Sequence, residues 1–186
     1  MGFTHNNKRN FKGNNMNKKT RYLWVALAIF CLILVSCSTE KGRVKIGNGG
    51  YSVKSPVGWD VRAVPGAEYE IIVSPLNNGY AATISFSDGN YSGDFQQYLD
   101  AMFRVYETDT QGFQQAYQSD FSTDSHHNGQ RFVMVTTQQN ATMKLAMYFI
   151  KISNDKYLSI YCAAREGSFD EYAQAFDACA RSFKVN

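Results

Sequence analysis

The chain has 186 residues, 44% hydrophobic, 15% aromatic and 19% charged, with 14 glycines and 3 prolines; aromatics this dense can bury a core, so collagen-like, coiled-coil and wholly disordered chains are excluded. The formal charge of +3 is unevenly placed, because residues 1–36 hold Lys8, Arg9, Lys12, Lys18, Lys19 and Arg21 and no acidic side chain, leaving 13 basic and 16 acidic residues on the rest. A mildly acidic body offers no basic stripe for phosphates, which speaks against nucleic acid as a partner.

From Asn17 the chain reads NKKTR and then YLWVALAIFCLILVSC, a cationic patch followed by an apolar run over residues 22–35 and a small residue before a cysteine. This is the layout of a secretory signal. As a helix the run would be about 21 Å long, short of the roughly 30 Å of a bilayer's hydrocarbon, so a spanning anchor is the weaker reading. Met16 stands directly before NKKTR and makes a better start than Met1; residues 1–15, Asn-rich and basic, are left out of the fold. Leu34-Val35-Ser36-Cys37 resembles the lipobox of bacterial lipoproteins. That resemblance implies a thiol diacylated at Cys37, cleavage after residue 36, and a lipid-anchored protein held on a membrane outside the cytoplasm. Two or three acyl chains make a lasting anchor where one does not. Residue 38 is Ser rather than Asp, which by the sorting pattern of enteric lipoproteins implies the outer membrane where the source has one.

Residues 37–49 are small, polar and Gly-rich and read as a lipidated tether leading into a first short strand near residues 43–46, with the folded domain over residues 50–186. The Asn77-Asn78-Gly79 turn separates strand-like residues 70–73 and 81–86. Phe95, Tyr98, Leu99, Met102, Phe103 and Tyr106 then form one helical stripe, with Asp94 and Gln97 as its capping box. Asn128-Gly129 predicts a hairpin between residues 113–127 and 130–137. Gln139-Asn140 and Asn154-Asp155 separate two further runs, 143–152 and 157–164, so the economical reading is a four-stranded antiparallel meander. The run 143–152 is apolar on both alternating sets and predicts a central strand covered on both faces. A second helix is predicted from Ser168, capped by its hydroxyl with Glu171 reaching back, along a stripe of Phe169, Tyr172, Phe176, Cys179 and Phe183.

The order of these elements, together with Ser55-Pro56-Val57-Gly58-Trp59 at the end of the first strand, resembles the PsbP-like fold. That fold is shared by the photosystem II protein PsbP, a nuclear import factor that binds the Ran GTPase, and many bacterial envelope lipoproteins. The resemblance implies an α+β domain, an antiparallel sheet carrying two main helices. In the Pro-x-Gly-Trp motif Trp59 is expected to plug the core, with Pro56 and Gly58 shaping the turn. No metal or docking residues match those of PsbP, so its photosystem role does not carry over.

Little in the chain carries chemistry. His126 and His127 lie near Ser122, Asp120 and Asp124, but adjacent strand residues face opposite ways, and the pair reads as a solvated hairpin end. Phosphate loop, nucleophile elbow and paired metal-binding histidines are all missing from the sequence pattern. The expectation is therefore a non-catalytic binding or assembly module of the cell envelope with no cofactor or metal, held by its N-terminal lipid and serving a protein partner. The alternative is a carrier that shelters a small apolar ligand between helix and sheet, which needs a dry cavity of roughly 300 Å³ or more. Cys162 and Cys179 share the strand–helix layer if the last helix folds back. A disulfide between them would close a loop of about 17 residues and stabilise by roughly 3 kcal/mol, while two buried free thiols are the other outcome.

Overall fold

The computed structural model describes residues 42–46, 50–65, 69–109, 113–138 and 141–186. In chain order these form β1 (Arg43–Ile46), β2 (Tyr51–Lys54), β3 (Asp60–Arg62), β4 (Ile71–Val73), β5 (Thr83–Asn90), α1 (Phe95–Asp109), β6 (Gln114–Ser122), β7 (Asn128–Gln138), β8 (Ala141–Lys151), β9 (Lys156–Arg165), a 3-10 turn (Glu166–Ser168), α2 (Phe169–Arg181) and β10 (Lys184–Val185). A seven-stranded antiparallel sheet runs β3-β4-β5-β9-β8-β7-β6, and a small second sheet runs β1-β2-β10. The α+β class, the four-stranded meander β6 to β9 and the two helices are as read from the sequence.

The double apolar periodicity of β8 decides the layering. Met147 and Phe149 face one way and pack with Leu99 of α1, Phe132 and Met134. Ala146, Tyr148 and Ile150 face the other way and join Phe169, Phe176, Cys179 and Phe183 beneath α2. Each helix stripe thus has its own sheet face, and the domain is three layers deep. Asp94 and Gln97 form the expected reciprocal cap: the Asp94 amide donates to Gln97 Oε1 at 3.0 Å and the Gln97 amide to Asp94 Oδ1 at 2.8 Å. Two N–H groups that no helical carbonyl reaches are satisfied at once.

Two local expectations are corrected. Asn128 and Gly129 do not form a turn but begin β7. The reversal lies earlier, where the Thr123 amide donates to the His127 carbonyl at 3.0 Å, the His127 amide donates to Thr123 Oγ1 at 3.0 Å, and His126 takes a φ of 63°. Gly129 answers a different demand: a Cβ there would sit 2.3 Å from the Phe149 carbonyl oxygen of the neighbouring strand. Gly129→Ala is accordingly expected to force β7 from β8 and to lower stability by roughly 1–3 kcal/mol, read as a shifted urea midpoint. The Asn-Gly signal is realised instead at Asn78-Gly79, with φ values of 51° and 80° and paired backbone bonds between Asn77 and Tyr80. These angles fit a type I′ turn, which suits the twist of the flanking strands.

The second correction concerns α2. Ser168 gives no side-chain cap; its hydroxyl donates to the Arg165 carbonyl at 3.3 Å, and Glu171 is drawn away by Asn77, whose Nδ2 donates to it at 3.1 Å. The preceding 3-10 turn occupies Ser168 and displaces the capping geometry. Strand β1, expected near residues 43–46, lies in the folded unit Gly42 to Asn186, paired with β2.

Candidate functional site

Trp59 takes the place expected of it. Gly58 has a φ of 79°, the Trp59 amide donates to the Pro56 carbonyl at 3.2 Å, and the indole meets Tyr172 and Phe176 of α2 edge-on at 5.7 and 5.9 Å. The turn therefore delivers an aromatic plug to the sheet–helix layer, a structural task. His126 is exposed at the β6–β7 reversal. His127 Nδ1 lies 3.2 Å from Ser125 Oγ, and its ring packs edge-on against Phe183 at 5.4 Å. Asp120 accepts a hydrogen bond from Gln130 at 2.6 Å instead of facing a histidine. Among the described residues no group of three or more His, Cys, Asp or Glu is placed to hold a metal ion.

Cys162 and Cys179 share one core layer, but the disulfide is not formed: both are free, buried thiols. Packed among apolar side chains, each serves as a small hydrophobe without a bond between them. Burial pushes the Cys162 thiol well up, with the nearby Cys179 adding to it, and pushes Cys179 up to about 12. In the unfolded chain both would ionise near the ordinary value of 9.0. Their contribution to stability is thus complete below about pH 9 and is lost as pH rises towards 12, because the unfolded state then sheds protons the native state keeps. Burial raises the phenols of Tyr98, Tyr106 and Tyr148 as well, and these act in the same direction. Mass-spectrometric mapping after alkylation at pH 8 is expected to leave Cys162 and Cys179 unmodified in the native protein and to find both modified in urea; modification of the native thiols would contradict their burial.

A site that sequence reasoning missed lies where β9 hands over to α2. The hairpin tip Asn77–Tyr80, the start of β8 at Ala141 and Thr142, and residues 165–171 enclose an open cleft of about 470 Å³. The Arg165 guanidinium stacks on the Tyr80 ring, 3.1 Å from its centroid. Its Nε is buried with no hydrogen-bond partner among the described residues. Glu166 and Glu171 share the cleft, the latter held by Asn77. The arrangement has the chemistry to bind a charged group. A guanidinium stacked on an aromatic presents a planar fork suited to a carboxylate or phosphate, and the two carboxylates beside it suit donors on the same partner. No local motif announced it, because Tyr80 and Arg165 meet only when the β4–β5 hairpin and β9 are folded together.

Cys37, the predicted lipidation site, and the signal segment 1–36 lie outside the described residues. Among the described residues no helix is long and apolar enough to cross a membrane.

No protein-family model matches the sequence, and no curated protein matches it. Solved structures share its fold. LpqN of Mycobacterium tuberculosis, described as involved in cell envelope biogenesis, superimposes with a TM-score of 0.60 at 16% identity, over 77% of this chain and 89% of its own. The cyanobacterial PsbP of Synechocystis sp. PCC 6803 gives 0.58 at 15% identity, over 81% and 98%. A Pseudomonas aeruginosa protein of unknown function gives 0.55 at 14% identity, over 69% and 97%. At such identities the likeness is one of architecture, and the domain has the PsbP-like α+β fold.

Proposed function

We propose that this protein is a lipid-anchored, non-catalytic module of the cell envelope that holds a protein partner through the Arg165 cleft. The observation that carries the reading is the Arg165 guanidinium on the cleft wall, stacked on Tyr80 and with its Nε bonded to no acceptor among the described residues. Arg165 is half-buried and lines the open cleft, so the part of its guanidinium that faces the cleft can meet a partner's carboxylate in a charge-assisted bond. The Leu34-Val35-Ser36-Cys37 motif supports the anchor, with the outer membrane as destination where the source has one. LpqN's description supports the envelope as the setting. A module is favoured over a carrier because the helix–sheet layers are filled: Leu99, Phe132, Met134, Met147 and Phe149 are each at most 1% exposed on one side, and Phe176, Phe183, Tyr148 and Ile160 are fully buried on the other.

The test is affinity capture from envelope membranes with the lipidated protein, comparing the parent with Arg165→Ala. The substitution is expected to remove at least one captured protein while leaving urea stability within about 1 kcal/mol, since it also removes an unsatisfied donor. An unchanged set of captured proteins would sink the cleft as a partner site.

A further inference from the structure

We propose that the outward face of the β1-β2-β10 sheet is a docking surface for anionic lipid headgroups, a reading that rests on the anchor at Cys37. The strand register puts Arg43 opposite Lys54, and both Lys45 and Lys184 opposite Ser52. Residues opposite one another in antiparallel strands share a face, so four cationic side chains lie on one side of this sheet. Val44, Ile46, Tyr51 and Val53 turn the other way and are buried in the core. Lys45 and Lys54 are exposed. Arg43 is oriented by Ser52 Oγ at 3.2 Å and the Ser182 carbonyl at 2.7 Å.

The concentration of charge is not a general property of the domain. Residues 42–186 carry 12 basic and 15 acidic side chains, yet the ten residues of these three strands hold four of the basic ones and no acidic one. Their position matches the anchor. Only residues 38–41 separate Cys37 from Gly42, and five extended steps reach about 17 Å at most. The Ser55 amide donates to the Gly42 carbonyl at 3.0 Å, which sets the turn at Pro56–Gly58 beside the point where the chain enters the domain. Val57 at the tip of that turn is fully exposed, at 101%. The basic face and an apolar tip therefore lie at the end of the domain where the chain enters it, and with an acyl chain they make the combination by which acylated proteins settle on charged bilayers.

The full chain, purified from membranes, is reconstituted into phosphatidylcholine vesicles with or without phosphatidylglycerol, and its lysines are acetylated and read by mass spectrometry. Labelling of Lys45, Lys54 and Lys184 is expected to fall several-fold on the phosphatidylglycerol vesicles only, and to recover at high salt. Lys144, at the opposite end of α2 where it pairs with Asp170 at 3.2 Å, is the internal reference and is expected to label equally on both. At about fivefold per cation near an anionic surface, Lys45→Glu with Lys54→Glu is expected to abolish the protection of Lys184. Equal labelling on both vesicles overturns the proposal, as does protection that appears only once envelope proteins are added. The mass of the Cys37 peptide from the same digest reports the anchor separately, so an unmodified Cys37 defeats the lipoprotein reading without being mistaken for a failure of the basic face.

Discussion

Phe149→Ala is expected to lower the unfolding free energy by about 3–5 kcal/mol, a large share of the roughly 5–15 kcal/mol a domain has in total. Phe149 is fully buried at the centre of β8, between Gln130 of β7 and Ser159 of β9. Its ring stands among those of Phe132 at 5.6 Å, Tyr98 at 6.0 Å, Phe103 at 6.3 Å and Tyr161 at 6.5 Å. Truncation removes the transfer energy of the ring and leaves a void that β8, hydrogen-bonded on both sides, cannot close. The polar contact nearby is the smaller term. Tyr98 and Ser159 share a hydrogen bond of 2.8 Å, and Tyr98→Phe is worth about 1 kcal/mol. Urea denaturation of the two variants measures both, and a loss below about 1 kcal/mol for Phe149→Ala would mean that α1 is not packed on this face.

Cys37→Ala is expected to abolish acylation and cleavage together, leaving a precursor that keeps residues 1–36. The thiol is the nucleophile that accepts the diacylglyceryl group, and alanine cannot replace it. Each buried methylene of an acyl chain contributes about 0.8 kcal/mol to membrane binding; the variant loses that lipid and depends instead on the uncleaved apolar run over residues 22–35. Intact mass reads the outcome, as a chain that carries no lipid and still includes residues 1–36, with Cys31→Ala as the control that is processed normally. A Cys37→Ala protein cut and membrane-bound like its parent would end the lipobox reading.

Where a pattern repeats along the chain, the sequence was enough. The helical stripe from Phe95 to Tyr106, the alternation in residues 143–152 and the small polar breaks between the later strands each express a local period, and period fixes which side chains face together. The capping box at Asp94 and Gln97 was legible for the same reason, since both partners lie within one turn. The two Asn-Gly pairs show the limit. Asn78-Gly79 closes a I′ turn, whereas Gly129 is needed because the Phe149 carbonyl of β8 passes 2.3 Å from where a Cβ would be. Sequence alone cannot separate these, because the second requirement comes from another strand.

Composition and local pattern by themselves determined the α+β class, the meander, the two helices and the anchor motif to be tested at Cys37. Tertiary structure decided the rest: that the two helices cover opposite faces, that β10 pairs with β2 and gathers Arg43, Lys45, Lys54 and Lys184 on one side, and that Arg165 meets Tyr80. Strands of two and three residues are too short to show a period, and partners separated by 85 or 130 residues leave no mark on each other's neighbourhood in the chain. Such contacts exist only after long loops are closed, so their physical cause is the packing of the whole domain.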